Sequence, residues 1–300
     1  MKKMKKRKVK RFFGLYILIL PAILYVLIFS YGPMYGIIMA FENYKPKLGY
    51  LGSEWVGLKH FQRFISHPDF WKMLKNTISI SLYSLATFPC AIILAVMINE
   101  VKHSKYKKVV QMVTYAPHFL STVVVCSLVT MFMGREGVFG VLYGSFTGKA
   151  ENLLTIPKLF NDIYVWSGVW QSVGWGTIVY LAALAGVSAE LIESARIDGA
   201  NRMQVIWHVN LPGILPTIVT LFIMNTGSIL SVGFEKIYLL QNALNLETSR
   251  VLSTYVYEVG LQGGQFSYST AIGLFNNLIN IVMIIICNRI SKKVSGIGIF

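Results

Sequence analysis

Of 300 residues, 54% are apolar and only 14% are charged, which excludes an ordinary soluble domain. The formal net charge of +15 does not point to nucleic acid either, because eight of the 28 basic residues, Lys2, Lys3, Lys5, Lys6, Arg7, Lys8, Lys10 and Arg11, fall in the first eleven positions. A basic tail abutting an apolar run is first of all an orientation signal for a chain that enters a membrane.

Runs without Asp, Glu, Lys or Arg cover 12–31, 77–98, 109–133, 163–189, 211–234 and 266–288, each 20 to 27 residues long. A helix needs about 20 mostly apolar residues to cross the hydrocarbon. The pattern therefore predicts an all-α integral membrane protein: a basic tail over 1–11, then a transmembrane domain over 12–300 with six spans. The first run is long enough for a retained anchor, and no small-x-small site closes it as in a secretory signal peptide. With the amino end inside, 17 of the 28 basic residues lie on the inner side, so both termini are expected in the cytoplasm.

After the first span, 32–76 carries Pro33, Pro46 and Pro68 among aromatics such as Trp55, Phe61 and Phe64, and is expected to form short interfacial helices. Phe70, Trp71 and Lys72 should anchor the outer start of the second span. Pro21, Pro89 and Pro117 lie within spans and predict bends, since proline frees a carbonyl. The cysteines Cys90, Cys126 and Cys287 lie far apart within spans and read as packing residues. In the glycine-rich stretch 134–162, Gly144 to Lys149 falls one residue short of a phosphate-binding loop and is followed by alanine, so the chain carries no nucleotide loop of its own. Zinc-binding and nucleophile motifs are missing too, and no catalytic or metal-ligating set is expected.

The connection 190–212 stands apart. Good helix formers, Gly199 at a turn, a second short helix and Pro212 give a helix, a turn and a helix, with Ile192, Ala195, Ile197, Val205, Ile206 and Trp207 supplying an apolar side to a cytoplasmic segment. Two readings stand: an amphipathic helix resting on the membrane surface, or a helix presented to a groove on a soluble partner. Glu193 is equally open, since it could serve the docking surface or pair with Arg196 one turn on.

Polar residues within the spans are the candidates for a solute pathway. Asn225, Ser228 and Glu235 recur at helical spacing around the fifth span, and Ser269, Gly273, Asn276, Asn277 and Asn280 along the sixth. Asparagine offers donor and acceptor to hydroxyls, although such residues also simply bond helices together. In the fourth span Trp166, Trp170 and Trp175, with Gln171, could stack on or bond to a solute, or anchor the outer interface. An ion-coupled carrier would need an ionisable residue deep in a span; the spans hold none apart from His118, with Glu235 at a boundary.

Glu193-Ser194-Ala195, three residues, Gly199, nine residues, Val209, one residue and Leu211-Pro212 together resemble the Glu-Ala-Ala signature of the permease subunits of binding-protein-dependent ABC importers. Ser194 and Val209 stand where alanine and isoleucine are usual. Asn76-Thr77, Pro89, Asn99, Pro117, Ser121 and the stretch Trp170 to Leu181 are similar to the sugar-importing branch. Leu20-Pro21-Ala22, Tyr31-Gly32-Pro33-Met34-Tyr35-Gly36 and Trp55-Val56-Gly57-Leu58 resemble its complex oligosaccharide and polysaccharide group. The resemblance implies a type I importer permease fold in a bacterial cell membrane, a coupling helix carrying Glu193, Ser194, Ala195, Asp198, Gly199, Val209, Leu211 and Pro212, and no enzymatic activity in this chain. It also implies the partners: a second homologous permease, two ATPase subunits that bind ATP and Mg, an extracellular solute-binding protein and its oligosaccharide. A permease for another solute class, or an ion-coupled secondary transporter, is the alternative.

Overall fold

The computed structural model describes residues 13–227, 233–296 and 298. Among these residues five helices are long and apolar enough to cross a membrane, and six if a pair bent by 74° is taken as one span. The chain divides into two compact units: residues up to Ser66 with Glu258–Leu274, and His67–Tyr257 with Phe275 onward.

In the first unit, α1 (Phe13–Val26) runs on through further helical turns to Phe41. Almost every side chain on it is exposed, so its stability as a helix comes from backbone bonds and an apolar surround. Two short strands, β1 (Glu42–Asn43) and β2 (Glu54–Trp55), then pair antiparallel with Glu42 opposite Trp55. Their closure is aromatic: Phe41 stacks on Trp55 at 5.7 Å and meets Phe61 of α2 (Lys59–Ile65) at 5.5 Å. The expected interfacial helices are therefore joined by a small hairpin that the apolar pattern did not announce. The Ser267 hydroxyl accepts from the Tyr44 N–H at 2.9 Å, and the Arg63 guanidinium lies 4.2 Å above the Tyr268 ring.

In the second unit the helix expected from Thr77 starts earlier, at Phe70. It runs as α3 (Phe70–Ala86), breaks at Thr87–Phe88 and restarts as α4 (Pro89–Asn99), with Pro89 at the first helical turn, where its missing N–H costs nothing. The run 109–133 is not one rod. α5 (Ser104–Tyr115) passes into a tight turn over Ala116–Phe119 around Pro117, and Ser121 caps a new helix, α6 (Thr122–Met133), by accepting from the Val124 N–H at 3.3 Å. A further helix, α7 (Val138–Thr147), occupies the glycine-rich stretch and ends at Gly148, which takes the left-handed conformation at φ 82°.

α8 (Phe160–Ala185) is the hub, packing against α3, α4, α5 and the later helix α11 (Leu211–Thr226). Between them lie α9 (Ala189–Ile197) and α10 (Arg202–Val205). α12 (Phe234–Leu240), α13 (Leu246–Ser249) and α14 (Leu252–Tyr257) follow, and α15 (Phe266–Ser295) closes the chain. Two apolar clusters hold this unit. One joins Ile80, Val125, Val129, Phe160, Ile163 and Ile237; the other joins Ile92, Ala95, Tyr180, Leu184 and Ile214. Buried hydrogen bonds fasten its loops. Thr77 Oγ1 accepts from the Leu252 N–H at 3.0 Å, and the Asn245 amide donates to the Leu154 and Leu240 carbonyls at 2.9 and 3.1 Å. Cys126 is buried, Cys90 and Cys287 are half-buried, and all three are free thiols.

Candidate coupling loop and solute cavity

α9 leaves α8 through Gly186 and Val187 and ends in a Schellman turn. The Gly199 N–H donates to the Arg196 carbonyl at 3.1 Å and the Ala200 N–H to the Ala195 carbonyl at 2.9 Å. That closure needs a left-handed residue, and Gly199 supplies it at φ 84°. Asn201 then starts α10 with a capping box: its side chain accepts from the Gln204 N–H at 2.9 Å, and the Gln204 side chain accepts from the Asn201 N–H at 2.7 Å. The turn is thus fixed on both sides by local bonds and needs no partner for its shape.

Its surface is another matter. No residue of α9 is buried, and Ile197 is 86% exposed, with Leu191, Met203 and Trp207 also open. Ala195, Asp198, Gly199, Gln204, His208 and Val209 surround a shallow hollow at the turn. A Cβ built on Gly199 meets no atom within 4 Å, so the space in front of it is open. Glu193 forms no ion pair with Arg196, which leaves its carboxylate on the exposed face. Leu211 and Pro212 begin α11, and the absence of a Cβ at Gly213 lets Val187 pack against that helix start. Glu193, Ser194, Ala195, Asp198, Gly199, Val209, Leu211 and Pro212 therefore lie on one continuous segment that runs from α9 to the first turn of α11.

α8 and α11 also wall a cavity of about 670 Å³ within the second unit. α8 contributes Tyr164, Ser172 and Trp175, α11 contributes Asn225, α3 contributes Ser81 and Ser84, and Phe88 comes from the break before α4. Trp175 is held flat against His118, ring centroids 4.6 Å apart and planes 7° from parallel, with Phe119 edge-on at 5.7 Å. Gln171 donates to the Leu120 carbonyl at 3.2 Å, fixing the same turn. Of the pathway candidates, Asn225 and Trp175 border this cavity. Trp170 is exposed, Gln171 half-buried, Asn276 half-buried, Asn277 exposed, Asn280 buried and Glu235 exposed, and none of these six lines it; Ser228 lies outside the described residues. Sequence reasoning missed Ser81, Ser84, Tyr164 and Ser172. Ser172 follows Gln171 and shares its helix with the tryptophans, the one signal that could have found it.

With this geometry in view, residues 87–296 match the family described as binding-protein-dependent transport system inner membrane component. The chain belongs to that family: it is a multi-pass membrane transport permease and not an enzyme. It is similar to the polygalacturonan/rhamnogalacturonan transport system permease protein YteP of Bacillus subtilis (strain 168), 44% identical over 95% of this chain and 90% of that protein. It is similar also to protein LplB of the same organism, 43% identical over 97% of this chain and 92% of that protein. Among solved structures it resembles a chain of a bacterial ABC transporter involved in the import of the acidic polysaccharide alginate, with a TM-score of 0.88, 39% identity and coverage of 97% of this chain and 99% of that one. A second structure of a bacterial alginate ABC transporter, in complex with an alginate pentasaccharide-bound periplasmic protein, matches with the same TM-score and identity.

Proposed function

We propose that this chain is one permease subunit of an ATP-driven importer in a bacterial inner membrane, with both termini cytoplasmic, carrying an acidic oligosaccharide or polysaccharide fragment handed over by an extracellular binding protein. A second homologous permease completes the pathway, and two ATPase subunits binding ATP and Mg dock on the connection between α8 and α11. The observation that carries this reading is the rigid turn at Gly199, which presents unsatisfied apolar surface directly between two cavity-lining helices. Exposed apolar area on a cytoplasmic segment has to be covered, and a groove on a soluble subunit covers it while gripping a lever.

Coupling then follows from linkage. ATP favours the closed ATPase pair; closure draws the docked turns together; α8 and α11 move with them and switch the cavity between outward and inward access. The YteP and alginate relatives support an acidic sugar as cargo, and the Trp175 face beside Ser81, Ser84, Ser172 and Asn225 suits ring stacking with hydroxyl bonding.

The test is reconstitution of the complex in proteoliposomes with its loaded binding protein and labelled oligogalacturonate. Uptake that requires internal ATP and survives a proton uncoupler is expected. Uptake that ignores ATP and collapses with the uncoupler would establish an ion-coupled carrier instead.

A further inference from the structure

Lys236 is the buried cation of α12, with only 8% of its surface exposed. Its Nζ donates to the Tyr164 carbonyl at 3.0 Å and lies 5.0 Å from the centre of the Tyr164 ring. The missing side chain of Gly168 makes the room: a Cβ there would stand 3.2 Å from Nζ. Tyr164, Gly168 and Ser172 form one stripe along α8 at four-residue spacing, and Tyr164 and Ser172 both line the cavity. The Tyr164 hydroxyl is in turn hydrogen-bonded to the backbone of Gly233, another lining residue, so the start of α12 is tied to the same stripe.

No carboxylate of the described residues pairs with this ammonium. A carbonyl and an aromatic face satisfy part of its donor capacity, but burying a charge without a counter-ion is costly, and an apolar side chain of similar length would fill the space at lower cost. Burial brings the Lys236 pKa down to about 8, against a weaker opposing influence from Cys126. The ammonium is retained directly behind Tyr164, whose carbonyl it binds and which lines the cavity although Lys236 itself does not, in a chain whose relatives include a permease named for polygalacturonan and one for alginate. We propose that Lys236 receives the carboxylate of an acidic sugar unit at the Tyr164 end of the cavity, and that it sets the preference for acidic over neutral cargo. This rests on the reading of the chain as an oligosaccharide permease, and it names the group that would recognise charge.

The experiment uses the reconstituted complex and two cargoes loaded on the binding protein, trigalacturonate and its carboxyl-reduced neutral counterpart. Rates are expressed as variant over wild type for each cargo, so that the preference of the binding protein cancels. Lys236→Gln is expected to lower trigalacturonate uptake about tenfold and the neutral cargo less than twofold. Equal losses for both cargoes would make Lys236 a clamp on the Tyr164 carbonyl and overturn the assignment, as would no loss at all. Wild-type complex that carries the neutral sugar but not trigalacturonate would instead overturn the acidic-cargo reading on which the assignment stands.

A second measurement needs no variant. The groups that meet Lys236 from the packed elements are Cys126 on α6 and Tyr164 on α8, with Glu235 next to it in sequence on α12, while Tyr257 of α14 packs on Phe234 and Tyr238 of that helix. A lysine titrating near 8 is about nine-tenths charged at pH 7 and about one-tenth charged at pH 9. The acidic-to-neutral uptake ratio of the wild type should therefore fall several-fold across that interval. A flat ratio would remove Lys236 from charge recognition.

Discussion

Gly174 of α8 lies against the backbone carbonyl of Thr114 on α5 so closely that a Cβ on the glycine would overlap that oxygen. The hub helix meets its neighbour backbone to backbone at this point, within the second unit, one residue from the tryptophan that faces the cavity. Small residues permit such approach where lipid gives helices no hydrophobic reason to associate.

Replacing this glycine is accordingly expected to damage the bundle before the pathway. Gly174→Leu should lower the melting temperature of the solubilised complex and reduce assembled permease, since the obstacle is backbone that cannot rotate away. Gly273→Leu, where a Cβ meets nothing within 4 Å, serves as the comparison and should assemble normally. Equal melting of the two variants would show that the contact with Thr114 is dispensable.

At Gly199 the opposite holds, because the space is open and only the backbone conformation restricts the residue. Gly199→Asp should insert and assemble, at a folding cost of about 1 kcal/mol for a side chain at positive φ. Uptake and cargo-stimulated ATP hydrolysis should both be abolished, since the substitution adds a side chain and a charge to a surface that must seat in a groove. Normal stimulation in that variant would remove Gly199 from the docking surface.

The helix, turn and helix of the connection 190–212 were legible in the sequence because their information is local. Spacing alone places a glycine where a Schellman turn must close, and Asn201 and Gln204 write the next helix start. The cavity was not legible for the converse reason. Asn276, Asn277 and Asn280 share a helix with the apolar residues around them, and only the packing of neighbouring helices decides which polar side chain meets open space. The break before Ser121 was hidden too, since counting charges through 109–133 detects apolar length and is blind to a cap within it. Pro117 marked the place, and its effect there is a turn rather than a bend.

The cavity residues give a graded expectation. A hydrogen bond to a neutral hydroxyl contributes about 1 kcal/mol, so Asn225→Ala and Ser172→Ala should each slow uptake per assembled complex about fivefold. Trp175→Ala removes a stacking face and should cost more than either. Asn280 is buried within the bundle, so Asn280→Ala should lower assembly and uptake together. Asn276→Ala and Glu235→Gln complete the series. A selective loss of uptake in those two, with Asn225→Ala unchanged, would move the cargo contacts towards α12 and α15.

Orientation can be read with single cysteines in a background lacking Cys90, Cys126 and Cys287. Positions 150 and 242 should react with an impermeant thiol reagent in intact cells, whereas 105 and 291 should react only after permeabilisation. Labelling of position 105 from outside would invert the arrangement.

Asn245 has a consequence of a different kind. Its fully buried side chain bonds to the Leu154 carbonyl 91 positions earlier and to the Ser249 hydroxyl four positions later. Such a long loop closes only after the intervening helices exist, so this contact forms later than α8 to α12. A chain stalled at any earlier stage leaves the Leu154 carbonyl without this amide, and its loops remain open to proteolysis. The contact therefore marks a chain in which the helices between Leu154 and Asn245 have already come together.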